Sequence, residues 1–466
     1  MPEETTRHTK QGALIVATFS SFLGPFMGSS VNVALPSIAA EFSMGAVLMG
    51  WVNTAFLLAA ATFIIAFGRL GDIYGRKRIF IWGQFFFIIS SVLIALSVSG
   101  TMLIFSRVIQ GFGSSMILAT SMPILISVYP PGERGKVLGI AVAAVYMGLS
   151  TGPFIGGIIT QHLGWRYIFW LNLPLGLLLL TVAVFMLKGD WAEDRETRFD
   201  FAGSVILGAA LLATMYGFST LPSLAAAGLV VLGLLGIYIF VRYESRIDNP
   251  VVNLDLFRHN AVFAFSNLAA LVNYAATFAV TFMLSIYLQK IKALNPQEAG
   301  LVLIVQPIIQ AVLSPLAGRF SDRIEPRTVA STGMALTFIG LVMLFFLDFG
   351  TSMTYILGVL ILLGVGFALF SSPNTNAIMS AVERRYFGVA GAMVSAMRQI
   401  GMMVSMGIVM LILALLLGQA EIEPENFGAF VNSMKIAFIV FAVLCFGGIF
   451  ASLARGKVIK AAGNQL

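Results

Sequence analysis

The stretch GRLGDIYGRKR occupies residues 68–78, and its opening returns as GRFSD at 318–322, a displacement of 250 residues. A second pair, Glu133-Arg134 and Glu383-Arg384, shows the same displacement of 250 residues. One offset shared by two separate loops points to duplication of a unit several helices long. Within the first turn, Gly68, Gly71 and Gly75 permit a tight reversal and Asp72 can reach a helix N-terminus. Arg76, Lys77 and Arg78 hold the turn at a polar surface.

On either side of these turns lie apolar runs long enough to cross a bilayer. They fall near 12–34, 48–67, 79–99, 102–126, 137–161, 167–187 and 201–221. Seven more follow near 223–241, 262–289, 299–317, 328–347, 353–380, 386–417 and 436–454. The chain of 466 residues is 58% hydrophobic and only 11% charged, with a mean hydropathy of +0.93, which excludes a soluble domain. Its one cysteine, Cys445, excludes a disulfide framework and a cysteine-ligated metal, and its place in an apolar run marks it as packing.

Fourteen spans put both termini on one side, and basic residues identify that side. Of 28 Lys and Arg, 22 fall on the termini side, whereas the other side holds four: Arg166, Lys290, Lys292 and Lys435. By the positive-inside rule both termini are cytoplasmic. The net charge of +7 is therefore a topology signal, and no basic domain for nucleic acid exists. No small-residue cleavage site follows the first span, so no removed signal peptide is expected.

The 250-residue offset pairs spans 1–6 with spans 9–14 and leaves spans 7 and 8 over. The expected fold is an all-α integral membrane protein of fourteen transmembrane helices: two pseudo-symmetric six-helix bundles plus two inserted helices. The bundles take residues 1–187 and 262–466, and 188–261 is a linker carrying the extra pair between charged segments. Parallel repeats of this kind place a binding site at the midplane between the halves.

These residues resemble the major facilitator superfamily, and within it the fourteen-helix drug:proton antiporters, over nearly the whole chain. GRLGDIYGRKR looks like the superfamily's signature turn between the second and third helices. RVIQGFGSS at 107–115 resembles the Arg-bearing motif of the fourth helix, and GLSTGPFIGG at 148–157 the antiporter motif of the fifth. WRYIFWLNLPLG at 165–176 is a mark of the fourteen-helix subfamily, while the acidic first-helix motif of peptide transporters is absent. The resemblance implies a gate built on Gly68, Asp72, Gly75 and Arg76, with Asp322 in the echoed turn. Asp72 would latch onto the start of helix 13 near Gly388 in the outward-open state. Gly148, Gly152 and Gly156 share a helix face and allow close backbone approach, and Pro153 loosens the ladder, which suits either a hinge or plain small-residue packing.

The first helix departs from the pattern. VNVALP at 31–36 matches the subfamily's helix ending, but the usual acidic residue five positions before the Asn is Met27. No Asp or Glu lies deep in any span; Glu41, Glu298 and Asp348 sit at outer ends. Arg107 and Arg398 are then cations in the bilayer without an evident acidic partner, and Arg398 lies about 18 Å along helix 13, near the bilayer centre. Hydrogen bonds to amides and carbonyls, a terminal carboxylate reaching inward, or an anionic substrate could each compensate.

The candidate substrate-binding residues are Phe22, Phe26, Asn53, Arg107, Gln110, Asn273, Gln306, Gln310, Met397 and Arg398. Gln306 and Gln310 share a face by their spacing of four. Buried amides often serve only to bond helices together, and apolar stripes often serve only to pack. Met393, Met397, Met402, Met406 and Met410 load helix 13, and Met and Phe are also the adaptable surfaces polyspecific sites use.

The expected function is secondary active export of amphipathic small molecules or drugs by alternating access, with the proton gradient as energy source by resemblance. A transporter of organic anions or anionic lipids without proton antiport is the alternative, and a non-transporting sensor or scaffold the alternative of another class. An enzyme is disfavoured because His8, His162 and His259 lie outside span centres and no acid, base or nucleophile clusters. No GxxxxGK[ST] loop exists for ATP. No cofactor or metal is expected; the expected partners are a small-molecule substrate and membrane lipid, with no nucleic acid, a monomeric state and room for an adaptor protein.

Overall fold

The computed structural model describes residues 7–192, 199–247, 255–382 and 387–456. No strand occurs among them, and fourteen helices are long and apolar enough to cross a membrane. They are α1 (Arg7–Glu41), α2 (Ala46–Tyr74), α3 (Arg76–Ala95), α4 (Gly100–Val128), α5 (Pro131–His162), α6 (Arg166–Phe185) and α7 (Phe201–Thr220). Then come α8 (Leu224–Glu244), α9 (Ala261–Ile291), α10 (Pro296–Ser321), α11 (Pro326–Phe345), α12 (Met353–Ser380), α13 (Phe387–Leu416) and α14 (Phe427–Ala454). Several outrun their apolar cores. About 20 residues cross the hydrocarbon, and the remaining turns continue into the interface where water can take their end groups.

Proline sets the breaks inside two helices. Helix α6 is interrupted at Leu171 and α10 at Ile304, each three residues before a proline, Pro174 and Pro307. A proline lacks the N–H for the i−4 carbonyl and its ring crowds that carbonyl, so the break falls one turn upstream. The last turn of α9, Tyr287–Ile291, is a π-turn.

The helix pairings recur across the repeat. α1 packs on α5 as α9 packs on α13; α2 on α4 as α10 on α12; α3 on α4 and α6 as α11 on α12 and α14. Across the halves, α2 meets α13 and α5 meets α10. Helix α7 lies against α8 and against α2 and α13, so the extra pair is attached at one seam between the halves. Helix α8 is mostly unburied, and its Val231, Leu232, Leu234 and Leu235 point outward, as lipid allows.

Glycine decides how closely α1 and α5 approach. A side chain at Gly148 would strike the Phe22 carbonyl, one at Gly152 would strike Ser29, and one at Gly156 would strike Ser30. Ser30 Oγ donates to the Gly152 carbonyl at 2.9 Å across this contact. Gly75 has φ 107°, a conformation other residues rarely adopt, and it joins α2 to α3.

Candidate substrate site

The two intramembrane arginines have different surroundings. Arg107 on α4 is 1% exposed. Its Nε donates to the Val52 carbonyl at 2.9 Å, one terminal nitrogen donates to Gln110 Oε1 at 2.5 Å, and the guanidinium lies 4.5 Å from the Phe56 ring centre. Gln110 in turn donates to Ser91 Oγ at 3.0 Å, which also receives Asn172 at 3.3 Å. Of the three ways to compensate a buried cation, Arg107 uses hydrogen bonds and an aromatic face. Arg107 and Gln110 are thus buried among α2, α3, α4 and α6, bonded to one another and to their neighbours.

Arg398 on α13 is half-buried and has no hydrogen bond or ion pair with a described residue. Gly391, Val394, Ser395 and Met402 on the same helix are also half-buried, and an added side chain at Gly391 would meet open space. The group within electrostatic reach of Arg398 is the Tyr146 hydroxyl, which comes from α5 in the other half. That hydroxyl is 3.4 Å from Ser371 Oγ on α12 and close to Ser314 on α10 and Tyr274 on α9. Ser314 Oγ is buried, so the Tyr146 hydroxyl is the polar group beside it among the described residues. One phenol from the first half therefore adjoins three hydroxyl-bearing residues of the second, within electrostatic reach of its cation. Sequence reasoning missed Tyr146; its signal was a phenol inside an apolar span, where the O–H needs a partner.

The amides separate in the same way. Gln306, Gln310 and Ser314 follow one face of α10 at steps of four, and Gln310 and Ser314 are buried on it. Asn273 is 1% exposed and neither polar atom of its side-chain amide has a hydrogen-bond partner among the described residues. Asn53, by contrast, donates to Asn32 Oδ1 at 2.6 Å. The Asn32 carbonyl accepts Ser285 Oγ at 2.7 Å and the Val33 carbonyl accepts Gln289 Nε2 at 2.9 Å, both from α9. The π-turn carries Gln289 into this contact. Asn53 thus ties α2 to α1 beside a seam that Ser285 and Gln289 brace across the halves, at the end opposite the termini.

That end is tightly joined. The Ala46 N–H donates to the Ala420 carbonyl at 3.0 Å, and His162 Nε2 lies 2.9 Å from Gln297 Oε1. On α1, Ser29 to Pro36 are all buried, whereas Leu14, Ile15, Phe19 and Phe22 nearer the termini are partly or largely exposed. Phe22 stacks on Phe26, with ring centres 5.3 Å apart, and Phe26 is buried. The methionines of α13 also divide: Met393, Met406 and Met410 are buried, while Met397 and Met402 are half-buried.

In the signature turn, Arg76 pairs with Asp72 at 2.9 Å and donates to Ser127 Oγ at 2.8 Å, tying the α2–α3 turn to α4. The start of α13 near Gly388, the expected latch target, adjoins Glu383 and Arg384, which lie outside the described residues. The side chain of Asp322 likewise lies outside them.

The outer carboxylates are engaged. Glu41 accepts Arg166 at 2.6 Å and Trp165 Nε1 at 2.7 Å, and Glu298 closes a capping box with Asn295. At Asp348 the Thr351 hydroxyl holds the carboxyl below the usual carboxylate range, helped by the Gly350 N–H. One further cation, Arg455 just past α14, is 0% exposed and donates to Ser266, Asn374 and Ser452. Burial draws its guanidinium down to about 10, opposed by the Glu325 charge. Sequence reasoning counted Arg455 as a loop charge.

Fourteen crossing helices, a repeated helix arrangement and polar groups converging between its halves define a membrane transporter. The model of the Major Facilitator Superfamily matches residues 16–200 and 267–463, and the chain belongs to that family. The unmatched interval contains α7 and α8. The riboflavin transporter RibZ of Clostridioides difficile (strain 630) is 30% identical over 440 residues, 94% of this chain and 95% of the relative. The multidrug resistance protein Stp of Mycobacterium tuberculosis (strain CDC 1551 / Oshkosh) is 31% identical over 401 residues, 85% of this chain and 74% of its own. The tetracenomycin C resistance and export protein of Streptomyces glaucescens is 30% identical over 379 residues, covering 80% and 70%. The chain is a membrane transporter of this family and not an enzyme.

Proposed function

We propose that this protein is a secondary active exporter of amphipathic small molecules. Residues 1–187 and 262–466 act as two rocking halves, and 188–261 carries the extra helix pair. The observation that carries this reading is the central cluster in which Tyr146 of one half reaches Ser371 and Ser314 of the other, within the field of Arg398. A ligand held there touches both halves, so its binding is coupled to their relative position. Relatives named for multidrug resistance and for tetracenomycin C export support efflux, while the riboflavin transporter leaves the substrate range wider.

The termini side is cytoplasmic by the distribution of basic residues, and the protein lies in the cell membrane. In that orientation the seam braced by Asn32, Asn53, Ser285 and Gln289 is the external gate. Gly68, Asp72, Gly75, Arg76 and Asp322 serve the cytoplasmic one, and the Gly148–Gly156 stripe with Pro153 is the hinge. The working unit is a monomer, open to an adaptor partner. No cofactor takes part; the proton gradient is the energy source, by family resemblance. Asp348 stays ionised at neutral pH, so Glu41 is the carboxylate to test first as proton carrier.

The test is proteoliposomes holding a pH dye, challenged with cationic, neutral and anionic amphiphiles. Substrate-evoked proton flux is expected and establishes antiport; substrate movement without it removes proton coupling. Cysteines placed on opposite faces should change accessibility when substrate is added, and a protein that never alternates is no transporter. Arg398→Ala should abolish or reshape transport while the protein remains folded, and wild-type efflux by that variant would sink the role of Arg398.

A further inference from the structure

We propose that Arg398 and Tyr146 form a subsite for organic anions, specifically planar acids that carry a carboxylate or enolate oxygen. This deepens the export reading and rests on it for the site's place in the transport cycle. The argument is one of charge balance. Arg398 is a cation near the middle of α13, half-buried, with no hydrogen bond or ion pair to a described residue. Five helices bring groups to this place: α5, α9, α10, α12 and α13. Their acidic residues stand at helix ends: Glu133 pairs with Lys10 and Glu298 closes a capping box. The Tyr146 hydroxyl lies within electrostatic reach of Arg398, with Ser371, Ser314 and Tyr274 beside that hydroxyl, and Tyr274 packs against Gly401, one turn along α13 from Arg398.

A hydroxyl can donate to an anion as readily as accept from a cation, so the cluster offers a cation and several donors with no competing carboxylate among the described residues. Tyr146 and Tyr274 add flat apolar surface beside the charge, which favours a ring over an aliphatic chain. Arg107 is the internal control. The same residue type inside a span is engaged by Val52, Gln110 and the Phe56 ring, a structural solution that Arg398 does not share among the described residues. Because Tyr146 and Arg398 belong to different halves, an acid bridging them is held only while the two are close. Recognition would thus be tied to one stage of the cycle.

The experiment is calorimetric binding to the purified full chain with two probes of equal size and opposite charge, 2-naphthoate and 2-naphthylmethylammonium. Wild-type protein should bind the naphthoate preferentially. Arg398→Gln should weaken naphthoate by roughly tenfold to a hundredfold, as loss of a charge-assisted contact does. Arg398→Lys should retain part of the affinity, and Tyr146→Phe should lose a few-fold. Thermal melts of all variants establish that each is folded, and Arg398→Lys keeps the test decisive if Arg398→Gln is not. Preferential binding of the ammonium probe, or naphthoate affinity unchanged within twofold in Arg398→Gln, overturns the proposal. Efflux of a cationic dye is measured separately. Dye efflux without anion preference removes the anion subsite and leaves the exporter; anion binding with no efflux of either probe leaves the subsite and removes the exporter.

Discussion

The first half of the molecule is closed upon itself and the second is left partly open at the same depth. In the first, three glycines seat α1 on α5, and Arg107 spends its donors on Val52 and Gln110. In the second, α13 approaches α9 with Gly401 set against the Leu271 carbonyl and Tyr274, and Arg398 has no hydrogen bond or ion pair with a described residue. The repeat therefore conserves helix pairings while allowing the polar residues to differ in purpose. A buried cation costs stability unless it is satisfied, so one satisfied inside a half belongs to the fold, and one left without partners at the seam is available to a ligand.

The difference can be broken most severely at Gly152. Leucine there collides with Ser29 and the Phe26 carbonyl, neither of which can withdraw, and the expected outcome is loss of monodisperse protein on size exclusion. Next in size, Arg107→Ala strands Gln110 and the Val52 carbonyl and should cost about 1–3 kcal/mol, read as a lowered melting temperature. Arg398→Ala should move the melt by less than about 0.5 kcal/mol while altering transport. Equal destabilisation by the two would erase the distinction between the arginines.

Ser285→Ala removes one bond across the seam, worth about 1 kcal/mol, and should raise labelling of a cysteine placed at the end opposite the termini. The smallest effect belongs to Asp348→Asn. A carboxyl whose folded pKa is depressed gives stability that is present above its unfolded pKa and lost only as pH falls through the folded value. Proton flux near neutral pH should thus be the same in Asp348→Asn as in wild type, and a lost flux would return Asp348 to the list of carriers.

Much of the architecture was legible because the bilayer imposes strong rules. Long apolar runs had to be helices, and the offset between GRLGD and GRFSD paired them into repeats. The site was legible only in part. Arg398 stood out as a charge in a span, but so did Arg107, and nothing in either local sequence separates them. Asn53 read as a cavity residue, yet its nearest neighbour is Asn32, one helix away. Tyr146 was passed over because an isolated Tyr in an apolar run is ordinary, and its significance arises from residues more than a hundred positions distant. Arg455 read as a loop charge because hydropathy counts position along the chain and not depth.

The sequence by itself determined the number of helices, their pairing into repeats and the glycine stripe, since each follows from local composition and spacing. Only the tertiary structure decided which polar residues brace the fold and which converge on the seam. That choice depends on the rotation of each helix about its axis, and rotation is set by packing against partners from the other end of the chain.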